Sequence, residues 1–425
     1  MKTSKKLAFC LLLGAFLVFS HSAYAADGNG RYFVKSTSGF WKNALGVRHT
    51  FDKGFTTDAS DFQLRLAKVF GVEIELVPVL QILPDEPVVS PDVSSEPEFT
   101  ATPSQSANPS QSDKVSAPGG SKGNKPVTVR YFPSDQTPWG IETIYNNSAI
   151  TVTSGGAGVH VVVLDTGVFT EHPDLKARVT QCKDFTHPKT PIIDGKCDDK
   201  NGHGTHVAGI IAADSGSDGK GIFGVAPQSE LWIYKVCGAN GSCYADDIAA
   251  ALNMAADLGA DIVNMSFGSD QESSLIGDAI NHAASSGLLL VAASGNDGPF
   301  QNSIDYPAVY SSVVGVGALS QLLGVTNWSS RGNNSETESW VVEDRDIEFA
   351  VPGEYIESTW NDGGYVILSG TSMASPFVAG LAAKYWQSTA VDPMTATRDF
   401  LHSLASDLLP DGDDNASGFG LPFVK

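Results

Sequence analysis

From residue 159 onward, apolar positions follow two patterns that alternate along the chain. Residues 159–164 form a nearly continuous run rich in valine, which is typical of a strand buried in a parallel sheet. Residues 245–258 instead place their apolar positions at helical spacing. The same patterns predict further strands at residues 230–236, 261–265 and 288–292 and further helices at residues 273–285, 377–383 and 396–404. This alternation predicts an α/β fold with a parallel sheet between helices on both faces.

A smaller set of elements precedes this region. Residues 31–35 and 47–57 have extended patterns, and residues 39–45 and 61–70 read as helices. Residues 73–83 alternate between polar and apolar positions, as a strand does. The resulting βαββαβ order predicts a small α+β unit of the ferredoxin-like type.

Two further segments divide the chain. Residues 1–25 have a basic start, a short apolar run and the small-residue site Ala23-Tyr24-Ala25, which predict an export signal; a membrane anchor is the alternative. Residues 84–126 are rich in Pro, Ser, Gly, Gln and Asn, which predicts a flexible linker. The predicted organisation is a signal peptide (1–25), the small α+β unit (26–83), the linker (84–126) and a large α/β domain (127–425).

The charge balance limits the partners of the protein. The chain has 425 residues, with 48 acidic against 27 basic side chains and a formal net charge of -21. Nucleic acids and anionic membranes would be repelled by such a surface, so we expect neither as a partner once the signal is removed. Abundant carboxylates are suited to hard cations such as calcium.

Cysteine usage agrees with export. Cys10 lies in the predicted signal, and Cys182, Cys197, Cys237 and Cys243 remain. An even number in an exported chain predicts disulfides, and four cysteines allow three pairings. We expect the local pairing, Cys182 with Cys197 and Cys237 with Cys243; a zinc site is the alternative, but the spacing does not resemble one.

The stretch Gly370-Thr371-Ser372-Met373-Ala374-Ser375-Pro376 carries the first candidate chemistry. Small residues precede an apolar helical run, so Ser372 lies where a helix begins. Free backbone N–H groups and the positive end of the helix dipole stabilise a developing oxyanion there. Ser372 is therefore a candidate nucleophile, and a tightly packed helix start is the alternative.

A serine nucleophile needs a base and a carboxylate that orients the base. Asp165 ends the valine-rich strand, at the edge where α/β sheets place functional groups. His203 lies in Gly202-His203-Gly204-Thr205-His206, at the start of another apolar helix. The chain order is thus Asp, His, Ser; a serine esterase would have the order Ser, Asp, His.

These three motifs resemble the signature motifs of the subtilisin-like serine proteases. The resemblance covers about the last 300 residues of the sequence. It implies a doubly wound, three-layer fold and a secreted serine endopeptidase that hydrolyses proteins and peptides through Asp165, His203 and Ser372. A catalytically silent binding protein on the same scaffold would lack one of the three residues. By the family pattern His206 is structural.

The resemblance also assigns residues around the triad. Asn296 matches the side-chain donor to the oxyanion. Two segments match those that line an extended peptide substrate, and they comprise Gly241, Ser242 and Tyr244 on one side and Ser266, Phe267 and Gly268 on the other. Asp305, just before Tyr306-Pro307, falls near the floor of the pocket for the P1 side chain, where a carboxylate would favour Lys or Arg. Alternatively, Asp305 turns outward or binds an ion.

The family further implies calcium as a structural stabiliser and no catalytic cofactor. Asp174 matches a ligand position, and Asp214 and Asp218 lie in the place of the ligand loop; a solvated acidic loop is the alternative. By its position, the small unit at residues 26–83 resembles a family propeptide, an intramolecular inhibitor and folding aid, although an unrelated binding module is also compatible. We expect a monomer made as a self-processed precursor.

Overall fold

The computed structural model describes residues 30–83, 129–333, 341–408 and 412–425. The chain forms two compact units, one up to Leu76 and one from Val77 onward. The predicted signal peptide and linker lie outside the described residues. Within the described ranges, no helix combines the length and the apolar character that crossing a membrane requires.

The first unit has the predicted βαββαβ order. Its elements are β1 (Tyr32–Val34), α1 (Gly39–Leu45), β2 (Thr50–Phe51), β3 (Gly54–Thr57), α2 (Asp61–Val69) and β4 (Ile74–Leu76). The antiparallel sheet has the order β2-β3-β1-β4, as in a ferredoxin-like unit. Val34, Leu45, Phe55 and Ala67 form its core.

The second unit alternates strands and helices as the apolar patterns predict. Its elements are β5 (Val79–Ile82), α3 (Trp139–Ile144), β6 (His160–Asp165), β7 (Val179–Asp184), β8 (Ile193–Asp194), α4 (His203–Ala212), β9 (Glu230–Lys235), β10 (Ser242–Tyr244), α5 (Ala245–Asp257), β11 (Ile262–Met265), β12 (Phe267–Gly268), α6 (Ser274–Ser285), β13 (Leu289–Ala293), β14 (Val313–Leu319), β15 (Phe349–Pro352), β16 (Ile356–Thr359), β17 (Tyr365–Leu368), α7 (Thr371–Lys384), α8 (Pro393–Leu404), β18 (Ala405–Ser406) and β19 (Leu421–Pro422).

The central sheet of this unit is doubly wound. Its eight strands have the order β15-β14-β13-β11-β6-β9-β7-β8, and all neighbours run parallel except at the β7–β8 edge. After β6 the chain first builds β7 and β9 on one side, and then β11, β13, β14 and β15 on the other. This change of direction beside β6 leaves a crevice at the carboxyl ends of the strands, where such folds bind ligands.

Two pairs of helices pack against the sheet in a three-layer α/β arrangement. Helix α7 contacts α4 and the strands β11, β13, β14 and β15, whereas α5 contacts α6. Every residue of α4, and every residue of α7 from Thr371 to Ala383, is buried. A helix buried all round holds its first residues in one place, which a catalytic site at a helix start requires.

Strand β5 lies in the second unit, although residues 73–83 are predicted to be one strand of the first. The chain instead forms two strands: β4 pairs with β1, and β5 pairs antiparallel with both β10 and β12. The structural boundary therefore follows Leu76 and not residue 83. Alternation of apolar residues identifies a strand but not the sheet to which it pairs, so the sequence does not reveal this division.

The two disulfides join Cys182 to Cys197 and Cys237 to Cys243. This is the local pairing expected from the sequence. The second bridge joins Cys237 to Cys243, the middle residue of β10, so it restrains one of the two strands that pair with β5.

Candidate active site

The ends of three neighbouring strands bring the candidate residues to one edge of the sheet. Asp165 is the last residue of β6, Ser266 follows β11, and Asn296 lies shortly after β13. Since β6, β11 and β13 are adjacent and parallel, their carboxyl ends lie side by side. The crevice predicted from the topology is therefore lined by these residues.

Asp165 and His203 form a buried hydrogen-bonded pair. His203 Nδ1 lies 2.8 Å from Asp165 Oδ1 and 3.0 Å from its Oδ2. Both side chains are almost wholly excluded from solvent. A carboxylate at Nδ1 fixes the proton on that nitrogen, and Nε2 is then the atom that can accept a proton.

The segment before His203 is held by Asp199, which the sequence analysis did not select. Asp199 Oδ1 accepts hydrogen bonds from the backbone N–H groups of Asn201 and Gly202, and Oδ2 accepts one from the N–H of Thr205. The start of α4 is thus capped from outside the helix. An Asp two residues before an Asn-Gly pair and a helix is a recognisable capping signal that could have identified it.

Thr166 joins this cap to the Asp165 strand. Its hydroxyl donates to Asp199 Oδ1 at 2.9 Å and accepts from the N–H of Gly204 at 2.9 Å. Gly202 has a φ of 112°, and a Cβ there would meet the ring of Trp360 at 2.3 Å. A residue other than glycine would therefore displace the turn that presents His203.

Ser372 is the second residue of α7 and is buried. Its hydroxyl donates to the carbonyl of Ser266 at 3.1 Å, and the Ser266 hydroxyl donates to the Ser372 carbonyl at 3.0 Å. The Ser372 carbonyl would normally accept from the N–H four residues later, but Pro376 has none. Ser266 supplies the missing donor and fixes the position of Ser372 at the sheet edge.

Asn296 is oriented by Thr371. Its Oδ1 accepts from the Thr371 N–H at 3.0 Å and from the Thr371 hydroxyl at 2.9 Å. Because a backbone N–H can only donate, the atom that faces it must be the amide oxygen, and the amide NH₂ points away from Thr371. Asn296 Nδ2 and the backbone nitrogen of Ser372 border the same space, since a Cβ on Gly370 would lie 3.3 Å from the first and 3.7 Å from the second.

His206 lies one helical turn after His203 on α4, but its imidazole contacts a hairpin and not Asp165 or Ser372. Its Nε2 is 3.1 Å from the carbonyl oxygens of Ile356 and Val366, so this nitrogen donates to the β16–β17 hairpin. Burial and, to a smaller extent, the nearby His203 together lower the pKa of His206 to about 3. The structure therefore gives His206 a neutral, packing role, in agreement with the expectation.

The two predicted substrate segments do bind an extended strand, and that strand belongs to the chain itself. Gln81 pairs with Ser242 of β10 on one side and with Gly268 of β12 on the other. The N–H of Ile82 donates to the carbonyl of Gly241 at 2.9 Å. Gly241 leaves the space that Ile82 occupies, since a Cβ there would lie 2.6 Å from the Ile82 side chain.

Asp305 is buried, and its carboxylate lies next to Gly268 of β12 and next to Gly295. Its backbone N–H donates to the carbonyl of Ser294 at 2.9 Å. A Cβ on Gly268 or on Gly295 would lie within 3 Å of Asp305 Oδ2. The Asp305 carboxylate thus packs against Gly268 and Gly295, and its place at the floor of a P1 pocket stays a prediction.

The predicted calcium ligands have different surroundings. Asp174 is buried; its Oδ2 accepts from Ile222 N–H and the Tyr365 hydroxyl, both at 2.9 Å, and its Oδ1 has no hydrogen-bond partner. Burial raises the pKa of Asp174 to about 6. Asp214 instead forms an ion pair with Arg178 at 3.1 Å. Asp174 therefore offers a free oxygen to a metal ion, whereas a carboxylate oxygen of Asp214 already has a cationic partner.

Comparison with known proteins gives consistent matches. The Subtilase family (Peptidase S8) matches residues 156–420. The chain is 40% identical to "Subtilisin" from Bacillus sp. (strain TA39) over 100% of its own length and 98% of the relative. Two solved structures, "Sphericase" (TM-score 0.67) and "S41 Psychrophilic Protease" (TM-score 0.66), are each 48% identical and cover 69% of this chain and 99% of theirs.

Proposed function

The chain belongs to the subtilase family of serine endopeptidases, and from this premise we propose that it cleaves proteins through Asp165, His203 and Ser372 and is secreted as a self-processed precursor. The observation that carries the assignment is the buried Asp165–His203 pair at the sheet edge where Ser372 begins α7. The three residues come from separate elements, and burial fixes each of them.

In the proposed reaction, His203 Nε2 removes the proton of the Ser372 hydroxyl as Oγ attacks the peptide carbonyl. The hydroxyl must first turn from the Ser266 carbonyl, to which it donates, toward His203. Asp165 stabilises the imidazolium that forms. His203 then protonates the leaving amine, and water repeats the sequence on the acyl-enzyme.

The oxyanion is stabilised by donors that are already in place. The proposed donors are Asn296 Nδ2 and the backbone N–H of Ser372. Support comes from the two bonds that Thr371 makes to Asn296 Oδ1, since they orient the amide before substrate arrives. Preorganised donors cost no rearrangement during the reaction.

Peptide substrates add a strand between β10 and β12. The support is β5, which occupies that position and pairs with both. Main-chain pairing of this kind is largely independent of sequence and suits an enzyme that accepts many peptides. Gly241, Ser242, Tyr244, Ser266, Phe267 and Gly268 are the proposed substrate-contacting residues.

The same observation supports self-inhibition. A substrate cannot pair with β10 and β12 while β5 does, so the segment at residues 77–83 acts as an intramolecular inhibitor. The register pairs Ile82 with Phe267, and one further step places Leu83 opposite Ser266, which holds Ser372. Leu83 is buried, as a side chain in a specificity pocket would be.

Calcium is proposed as a structural ligand at Asp174, whose unpartnered Oδ1 fits a hard cation. When bound there, the ion would neutralise a buried carboxylate and tie residue 174 to the loop that carries Asp218. No step of the peptide hydrolysis requires it. The active species is proposed to be a monomer without a catalytic cofactor.

The test of the function is the fate of the secreted chain. The wild-type chain and the Ser372→Ala variant are expressed in a host deficient in other proteases, and the secreted products are characterised by N-terminal sequencing and intact mass. We expect a shortened, active wild type and a longer, inactive variant that keeps residues 26–425. Identical processing of the two would disprove self-cleavage, and an active variant would disprove the role of Ser372.

A further inference from the structure

A second cluster of acidic side chains lies outside the triad and outside the Asp174 region. Asp305, Asp297 and Asp270 each offer a carboxylate oxygen, and these three oxygens all lie within 4.8 Å of one another. Asp305 is buried, whereas Asp297 and Asp270 are exposed, so the group is closed on the protein side and open to solvent on the other. The three carboxylates thus form a shallow surface depression, with Asp305 at its base.

The buried carboxylate at the base of this depression has an oxygen without a hydrogen bond. Asp305 is only 3% exposed, and its buried Oδ1 has no hydrogen-bond partner among the described residues. Buried carboxylate oxygens without partners are rare because they forfeit hydration without compensation. A ligand that binds oxygen would satisfy this atom.

Within the described residues, no Lys, Arg or His side chain forms an ion pair with any of the three aspartates. The nearest charges are the carboxylates themselves. Among the described residues, no cationic side chain of the protein therefore occupies the position that a metal ion would take.

The residues around the three aspartates indicate which part of the protein a bound ion would stabilise. Asp305 Oδ2 packs against Gly268, and Gly295 lies equally close to it. Gly268 belongs to the wall that pairs with β5, and Gly295 precedes Asn296. An ion bound to Asp305, Asp297 and Asp270 would connect three chain segments that all border the proposed P1 pocket.

From this geometry we propose that Asp270, Asp297 and Asp305 form a calcium-binding site that stabilises the walls of the P1 pocket. All donors are carboxylate oxygens, the ligand set that Ca²⁺ prefers, and the exposed side leaves room for the waters that complete its shell. Zinc would favour nitrogen or sulfur donors, which the group does not contain. The site is separate from Asp174 and does not depend on the catalytic assignment.

The cationic end of a P1 Lys or Arg side chain is the other occupant with suitable chemistry. A single positive charge offsets only one of the three carboxylates, whereas Ca²⁺ offsets two. With calcium bound, Asp305 is already coordinated and does not attract a basic side chain. The proposal therefore replaces the expected Lys or Arg preference with a structural role for Asp305.

The experiment counts bound calcium in the full chain. The parent is the Ser372→Ala variant, which avoids self-digestion, and the ligand is Ca²⁺ itself, measured by equilibrium dialysis. Asp305→Asn removes the buried ligand, and Asp270→Asn removes an exposed ligand with little risk to folding. Asp257→Asn, on the exposed end of α5, is the matched control.

We expect Asp305→Asn to bind one Ca²⁺ fewer per chain than the parent, Asp270→Asn to bind that ion at least tenfold more weakly, and Asp257→Asn to match the parent. Combining Asp174→Asn with Asp305→Asn should remove a further ion. Unchanged calcium binding in both Asp305→Asn and Asp270→Asn would overturn the proposal. A second result would also overturn it: Asp305→Asn binds calcium as the parent does, and the active Asp305→Asn enzyme loses a preference for Lys or Arg at P1.

Discussion

Ser266 and Ser372 exchange two hydrogen bonds, each hydroxyl donating to the backbone carbonyl of the other residue. The exchange fills a gap left by Pro376, which has no N–H for the Ser372 carbonyl. The Ser266 hydroxyl also accepts from Asn264 Nδ2 at 3.0 Å and lies 2.9 Å from the Ser375 hydroxyl. The position of the proposed nucleophile therefore depends on a side chain that does not itself react.

Ser266→Ala tests this dependence. The substitution leaves the Ser372 carbonyl without its donor and the Asn264 amide without its acceptor, in a site where all of these groups are buried. We expect a loss of about 1–3 kcal/mol in the free energy of unfolding and a lower kcat. Denaturant unfolding in the Ser372→Ala background and peptide hydrolysis in the active enzyme measure the two effects.

Ser285→Ala is the control, since the Ser285 hydroxyl bonds only within its own exposed helix end. Equal stability and kcat in Ser266→Ala and Ser285→Ala would show that the exchange with Ser372 is dispensable.

Sequence patterns predict the triad order and the strand ends on which it lies, because both depend on local runs of residues. Asp165 and Ser372 were identified in this way. The bonds of Asp199 to the turn before α4 are local and leave a capping signal in the sequence, whereas its bond to Thr166, 33 residues away, leaves none. The separation of β5 from β4 was also missed, since strand pairing over about 160 residues leaves no local signal.

The identity of residue 84 leads to a prediction about maturation. If Leu83 occupies the P1 position, the bond opposite Ser372 is Leu83–Pro84. The proline ring replaces the N–H of the leaving amine and obstructs protonation by His203, so this bond should resist cleavage. Residues 77–83 would then remain a bound inhibitor, and the maturing cut would fall later in the linker, between residues 85 and 126.

We expect Pro84→Ala to be cut after Leu83 and to become active sooner than the wild type. N-terminal sequencing of the released fragments identifies the cut, and Pro87→Ala in the same segment is the control. A wild-type chain cut after Leu83, or a Pro84→Ala chain that is never cut there, would contradict the assignment of Leu83 to P1.

The Glu348 carboxylate makes the free energy of unfolding depend on pH in the acid range. It is buried, and its carboxylate accepts from Arg398 Nε at 2.8 Å and lies 2.7 Å from His402 Nε2. Burial alone would raise the pKa of Glu348, but Arg398 and His402 overcome it and lower the pKa to about 2. The folded pKa lies below the unfolded value of about 4.3, so the contribution is complete above pH 4.3 and is lost as the pH falls toward 2.

The loss across this interval is up to about 3 kcal/mol. Glu348→Gln removes this pH-dependent contribution. The free energies of unfolding of variant and parent should therefore differ most near pH 6 and converge near pH 2. Denaturant unfolding at several pH values in the Ser372→Ala background measures this, with Asp257→Asn as the exposed control. A difference that stays constant from pH 6 to pH 2 would contradict the assigned pKa.

Calcium bound at Asp174 should lengthen the lifetime of the folded enzyme and leave the rate of peptide hydrolysis unchanged. An ion that binds only the folded state stabilises it by about 2.7 kcal/mol at a hundredfold excess over its dissociation constant. Chelation should therefore shorten the half-life of activity on heating, and Asp174→Asn should make the half-life less sensitive to chelator. Equal half-lives with and without chelator would exclude stabilisation by calcium.

The central claim is that Ser372 is a nucleophile activated by His203. Labelling the matured enzyme with an organophosphonyl fluoride, followed by intact mass and peptide mapping, tests this most directly. We predict one label per chain, located on Ser372, with loss of activity in proportion to labelling and much slower labelling in His203→Ala. A label on another residue, or full peptide hydrolysis by Ser372→Ala, would contradict the account.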